Sequence, residues 1–230
     1  MNNKIVIYTA IAGQGRDALK DPEPIPGVDY ICFTDQKLKS DVWNIIPFKF
    51  NDENLVLKSK HPKVLPHKYF SDFNVSIWVD GNIVPNKNII LASKIFLSKG
   101  NIVLHKHPRR NCLFDEAIRV HEVRKCDPHI LFSQIDAYKL AGMPKKFGLW
   151  ECGVIFRHHN EENIVNAMEL WWNEIISHNQ PRDQISFAYV VWKTGLKVHT
   201  INQNIRKASH VKYTRHVEQT YDMIEYRNVA

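Results

Sequence analysis

Val75-Ser76-Ile77-Trp78-Val79, closed at once by Asp80-Gly81-Asn82, is the stretch that decides the fold. Its apolar, β-branched run is short enough for a strand buried on both faces, and it stops on polar residues instead of a hairpin turn. Working outward, Lys4-Ile5-Val6-Ile7-Tyr8-Thr9-Ala10 gives a second such strand, closed by Gly13 and Gly15. Asp29-Tyr30-Ile31-Cys32-Phe33-Thr34-Asp35 gives a third, and Val42 to Phe50 a fourth around Trp43. A helix is expected from Lys58 to Phe73, another from Ile89 to Leu97, and a short strand from Asn101 to His105.

Beyond Arg110 the apolar period changes to that of helices: Leu113 to Lys125, Pro128 to Ala141, and Glu161 to His178 with Trp171 and Trp172. The strand Gly153-Val154-Ile155-Phe156-Arg157 interrupts them. Gln184 to Trp192 reads as a helix with Asp183 as its N-cap, Lys197 to Ile201 as a last strand, and the final thirty residues as basic and partly extended. Strands alternating with helices, with no repeat and no linker, predict one α/β domain over residues 1–230 with a mixed, mostly parallel central sheet flanked by helices.

The chain has 230 residues, 44% hydrophobic and 24% charged, with a net charge of +7 and 12 histidines. This composition excludes a collagen-like repeat, a coiled coil and a disordered tail. No apolar run approaches ~18 residues and the Ile5–Tyr8 run is too short for a leader, so the expectation is a cytoplasmic protein with at most peripheral membrane contact. The cysteines Cys32, Cys112, Cys126 and Cys152 form no C-x-x-C pair and read as reduced, buried thiols. The basic excess admits nucleic acid, an anionic membrane or an anionic small substrate. No nucleic-acid motif is present, and nucleic acid is not the expected partner. No motif specifies an oligomer.

Ligands of open α/β sheets collect at the carboxyl ends of strands. Thr9-Ala10, Thr34-Asp35 and Asp80-Gly81-Asn82 are the polar strand endings. In the last, a carboxylate and an amide oxygen two positions apart can face one hard cation, with a glycine between them to permit close approach. The same tripeptide also makes an ordinary turn. Arg182-Asp183-Gln184 either caps a helix or turns a carboxylate and an amide to a cleft. His105 to Arg110 is either a solvated loop or a cluster of donors for a diphosphate. Trp150-Glu151 is either a strand edge or a sugar-binding pair. There is no P-loop, no G-x-S-x-G elbow and no H-E-x-x-H.

In order, these segments resemble the small GT-A-type glycosyltransferase domain of polysaccharide-related proteins, the TOD/MUCI-like family. The matching stretches are Tyr8 to Ala10, Asp29 to Asp35, Lys63 to Phe70 with Pro66-His67, Ser76 to Asn82, His107-Pro108-Arg109 with Glu116, Gly148 to Arg157, and Arg182 to Phe187. The resemblance implies a GT-A-like fold with a nucleotide-sugar-binding half over residues 1–110 and an acceptor and catalytic half over 111–230. It implies transfer of a hexosyl or deoxyhexosyl group from a nucleotide sugar, UDP-sugar foremost, to a glycan or glycolipid hydroxyl, with Mn²⁺ or Mg²⁺. Thr9, Ala10, Asp35, Lys63, Asp80 and Arg109 are then the donor-binding positions. Asp80, Asn82 and His210 (with His216 as the rival histidine) are the metal positions, and Asp183, Gln184 and Glu151 the catalytic ones. Asn82 departs from a strict D-x-D. Inversion and retention both remain open, and the alternative is a non-catalytic nucleotide- or glycan-binding module.

Overall fold

A computed structural model of the protein describes residues 4–13, 17–179 and 182–214. In chain order the elements are β1 (Ile5–Ile11), β2 (Val28–Thr34), β3 (Asn44–Pro47), α1 (Leu55–Val64), β4 (Val75–Val79), β5 (Ile83–Pro85), α2 (Asn88–Leu97), β6 (Ile102–Lys106), α3 (Leu113–Glu122), α4 (Pro128–Leu140), β7 (Trp150–Arg157), α5 (Glu162–Ser177), α6 (Asp183–Thr194), β8 (His199–Ile201) and β9 (Val211–Tyr213). Seven strands form one sheet in the order β3-β2-β1-β4-β7-β6-β8, and β5 pairs with β9 in a separate ribbon. Within the large sheet β7 alone runs against its neighbours. The expected mixed, mostly parallel α/β architecture holds. Its consequence is that six parallel strands deliver their carboxyl ends to one edge.

The two faces of the sheet are covered unequally. Val6, Tyr8, Trp78, Leu104 and Ile155 pack under residues of α1, α3, α4, α5 and α6. Ile7, Ile77, Val103 and Phe156 on the other face pack with α2, the β5–β9 ribbon, the turn at Ile205 and the loops carrying Leu19, Ile25 and Trp43. The alternation of strand side chains produces this split directly. All four cysteines are buried and unbridged. Among the described residues no helix is long and apolar enough to cross a membrane.

Three expectations are corrected. The helix read as Lys58 to Phe73 begins earlier and ends at Val64. Asn54 caps it, accepting from Val56 N at 2.9 Å, and Pro66, which has no N–H, starts a separate short turn, Pro66–Lys68. Asp183 is not an N-cap: it is the first residue of α6, and its carboxylate meets two lysines instead of backbone N–H groups. β7 starts at Trp150, three residues before the expected Gly153, and its pairing with β6 shifts register between Leu104 and His105. That bulge puts Trp150 and Cys152 on the same face as Ile155, and it sets Gly153 beside the end of β4. β5 had no counterpart in the sequence reading, whereas β9 supplies an extended piece of the basic tail.

Candidate functional site

The carboxyl edge of β4 carries the site. Asp80 follows the last residue of the strand, and its backbone N–H donates to Gly153 O at 2.9 Å. One carboxylate oxygen, Oδ1, accepts from Trp78 Nε1 at 2.7 Å and from Lys63 Nζ at 3.0 Å. The other, Oδ2, accepts no hydrogen bond among the described residues, and the side chain is 39% exposed. A side chain on Gly153 would come within 3.2 Å of this free oxygen, so the glycine keeps its approach clear.

Beneath Asp80 runs a chain of alternating charge. Lys63 Nζ also lies 2.7 Å from Asp183 Oδ2, which lies 2.8 Å from Lys60 Nζ. Lys60 and Lys63 are three apart on α1 and so share one face of it. Lys63 is 2% exposed, and its ammonium sits 5.3 Å from the centre of the Trp78 ring. The fully buried Arg157 holds the end of the helix, donating from Nη2 to the Lys63 carbonyl at 2.8 Å and to the Tyr8 hydroxyl.

Burial alone would raise the carboxyl pKa values. For Asp183 the Lys60 and Lys63 ammoniums outweigh it and hold the group far below the usual carboxylate range. Burial likewise raises Asp80, and Lys63, Lys60 and the Trp78 N–H reverse the sign. Burial would lower Lys63, but Asp183 and Asp80 push it up instead. Burial dominates at Lys60, which is lowered. Cys152, buried amid these charges, is pushed well up, chiefly by burial. Asp183, Asp80 and Lys63 are therefore charged at neutral pH, and the thiol is not.

The structure gathers Asp80, Lys63 and Asp183 but gives the other expected residues different surroundings. Lys63 is a buried counterion to both carboxylates. Asn82 is buried and donates from Nδ2 to Thr214 O at 2.9 Å, tying down the segment after β9. His210 lies on the opposite, thinner face, its Nε2 3.2 Å from His105 Nε2 and its ring against Phe96 and Phe156. Both oxygens of Glu151 are engaged, by Arg206 Nη1 at 2.9 Å and Ile205 N at 3.2 Å. Asp35 accepts from Gly13 N at 3.0 Å and fixes the loop after β1. Thr9 and Ala10 lie near the end of β1, where Thr9 Oγ1 is buried without a partner among the described residues. Gln184 Nε2 is a second buried atom without one. Arg109 is exposed beyond β6. His216 lies outside the described residues.

Among the described residues no group of three or more His, Cys, Asp or Glu side chains is placed to hold a metal ion. Among the described residues Asp80 Oδ2 is a carboxylate oxygen available to a cation. One carboxylate oxygen fits a hard divalent ion that takes its remaining ligands from water and phosphates; it does not make a protein-built cage. A cavity of about 550 Å³, lined by Pro24, Tyr30, Asp41 and Phe73 among others, opens at the opposite edge of the sheet, where none of the expected site residues lies.

Sequence reasoning missed Lys60, Tyr8 and Arg157. The signals were present: Lys60-x-x-Lys63 on one helix face, and an arginine closing an otherwise apolar strand, which has to find partners when buried.

The family described as "TOD1/MUCI70, glycosyltransferase-like domain" matches residues 29–217. Two proteins of Arabidopsis thaliana are similar. "Probable hexosyltransferase MUCI70" is 27% identical over 179 residues, covering 71% of this chain and 30% of the relative. "Alkaline ceramidase TOD1" is 27% identical over 164 residues, covering 64% of this chain and 35% of the relative. The chain thus spans about a third of each relative's length. Among solved structures, "WbbM bifunctional glycosytransferase apo structure" covers 87% of this chain and 39% of that one, with a TM-score of 0.49 and 8% identity. The family match takes in the Asp80 edge, both lysines, Arg157 and Asp183, and this chain belongs to the TOD1/MUCI70 glycosyltransferase-like domain family.

Proposed function

We propose that the chain transfers a hexosyl group from a nucleoside-diphosphate sugar, UDP-sugar foremost, to a hydroxyl of a glycan or glycolipid acceptor. The observation that carries the reading is Asp80: a carboxylate at a parallel strand's end, fixed through one oxygen and open through the other. A divalent cation held there, Mn²⁺ or Mg²⁺, would offset charge developing on the departing diphosphate. Arg109, exposed beyond β6 on the same edge, supplies a second positive charge for that group. Thr9 Oγ1 and Gln184 Nε2, buried and without a partner among the described residues, are polar atoms that a donor or acceptor could engage.

Asp183 takes a role other than general base. Two ammoniums hold its carboxyl far below the usual range, and so weak a base removes little of an acceptor's proton at neutral pH. Its geometry suits a positioning residue that keeps Lys60 and Lys63 in line and, through Lys63, keeps Asp80 oriented.

A thermal-shift panel of UDP-sugars with and without Mn²⁺, paired with a donor-turnover assay, tests this. A ligand that binds the native state alone raises the melting temperature by mass action. The expected result is a shift with a UDP-sugar that grows with Mn²⁺, accompanied by turnover, and both lost in Asp80→Asn. Binding without turnover would return the non-catalytic module. Ceramide hydrolysis is the control arm, because one relative is named for that activity. Full turnover by Asp80→Asn would overturn the assignment.

A further inference from the structure

The α2 side of the thin face and the β8 edge are built from two segments without acidic residues. Residues 81–114 contain no Asp or Glu and six Lys or Arg, and residues 184–214 contain none and five. The fold brings these two segments together: β6 pairs with β8, β5 with β9, and the side chains of Asn86 and Asn88 donate to Ser209 O at 3.0 and 3.2 Å. Of these cations, Arg110 pairs with Glu116 and Arg206 with Glu151. Lys87, Lys94, Lys99, Lys106, Lys207 and Lys212 are all exposed and form no ion pair among the described residues. By contrast residues 17–53, which build the β2–β3 edge, hold eight acids and four lysines.

Helix α2 forms the outer layer of the thin face. Its inner side is Ile89, Ser93 and Leu97, all buried against the sheet. Its outer side repeats at helical spacing: Lys87, Leu91, Lys94 and Ile95, with Lys99 just past the end. Leu91 is 62% exposed and Ile95 48% exposed. Adjacent aliphatic side chains whose charged neighbours on the helix are all lysines make a surface whose complement is negatively charged and apolar beneath.

We propose that α2 docks this domain on a membrane containing anionic lipid, with Leu91 and Ile95 entering the acyl boundary and Lys87, Lys94 and Lys99 meeting the headgroups. A polyanion would satisfy the lysines and leave the aliphatic pair in water, which is why the lipid surface is the better complement. The docking is independent of the sugar-transfer reading, since none of its residues belongs to the Asp80 site.

Co-sedimentation of the full chain with vesicles of phosphatidylcholine alone, or mixed with phosphatidylglycerol, reads it directly. The wild type should bind the mixed vesicles only, and less as salt rises. Reversing Lys87, Lys94 and Lys99 to Glu should weaken binding by about fivefold or more for each charge, the equivalent of roughly 1 kcal/mol per lysine. Leu91→Ser with Ile95→Ser should weaken vesicle binding severalfold and leave binding to immobilised heparin unchanged. Both sets lie on the surface, and an unchanged melting temperature verifies their folding. No binding to mixed vesicles overturns the proposal. Two other results do the same: vesicle binding indifferent to Leu91 and Ile95, which marks a polyanion site, and a dimer that the serine pair dissolves, which marks a self-association face.

Discussion

The two faces of the sheet each bury a polar cluster near the same edge, and they solve the problem of burial in opposite ways. On the thick face, Asp183, Lys63 and Asp80 stay ionised and neutralise one another, with Lys60 Nζ 2.8 Å from Asp183. On the thin face, His105 and His210 meet through their Nε2 atoms and stay neutral. Burial is the leading cause of lowered pKa at both histidines, and His210 falls to about 4. His105 Nδ1 lies 2.6 Å from Gln203 O, a contact that requires the proton on Nδ1. Its Nε2 then accepts from His210 Nε2–H. The thick-face cluster keeps its charge beside an open carboxylate oxygen, whereas the thin-face histidines are buried as an uncharged pair.

The sharpest break in that contrast is Lys63→Ala. It leaves two buried or half-buried carboxylates facing each other without the cation between them. Removing one partner of a buried ion pair destabilises by about 3–5 kcal/mol, and urea denaturation should read a loss in that range together with loss of turnover. Lys63→Met combined with Asp183→Leu should lose less than the sum of the two single changes, because each single change also strands the other member of their 2.7 Å pair and the double change does not. A strictly additive result would mean that the lysine and Asp183 do not act as one unit.

Acid separates the clusters by pH window. A histidine whose folded pKa is depressed contributes fully above its unfolded value near 6.5, and that stability is lost as pH falls toward the folded value. For His210, falling to about 4, each unit is worth about 1.4 kcal/mol, so the step between pH 6.5 and 4 is of the order of 3 kcal/mol. His61 and His159, also lowered to about 4 mainly by burial, add to the same window. The carboxylates act lower: their depressed pKa values give stability present above about pH 4 and lost below it. Melting temperature against pH should therefore fall in two steps, and His210→Phe should shrink the upper step and leave the lower one. An upper step of unchanged size would place the acid sensitivity in the other histidines.

Much of this is legible in the sequence. Buried strands announce themselves through β-branched runs, and Asp80 stood out because it ends the strongest of them. The pairings were not legible. An aspartate before an apolar helix looks the same whether it caps backbone N–H groups or reaches a lysine 123 residues away, as Asp183 does. His210 meets a histidine 105 positions distant. Such contacts are decided by the order of strands in the sheet, which one sequence does not spell out residue by residue. The limits of α1 were obscured by two prolines: Pro62 is tolerated inside the helix, while Pro66 follows its end.

The smallest effect is expected at Gly153, and it tests whether the open oxygen of Asp80 is a functional feature or an accident of the bulge. A Cβ there would lie 3.1 Å from Ile83 Cδ1 and 3.2 Å from Asp80 Oδ2. Both distances are tight without being impossible, and Gly153 has no left-handed backbone to strain. Gly153→Ala should therefore cost about 1 kcal/mol or less in stability, a small shift of the melting temperature. If ligands reach Asp80 through that oxygen, the methyl group narrows their approach, and turnover should drop several times more than stability suggests. The contrast with Lys63→Ala is the point of the measurement: one variant removes the support of the carboxylate, the other obstructs its free side. Turnover and stability falling in proportion would make Gly153 a packing glycine and would leave the exposed oxygen without a demonstrated use.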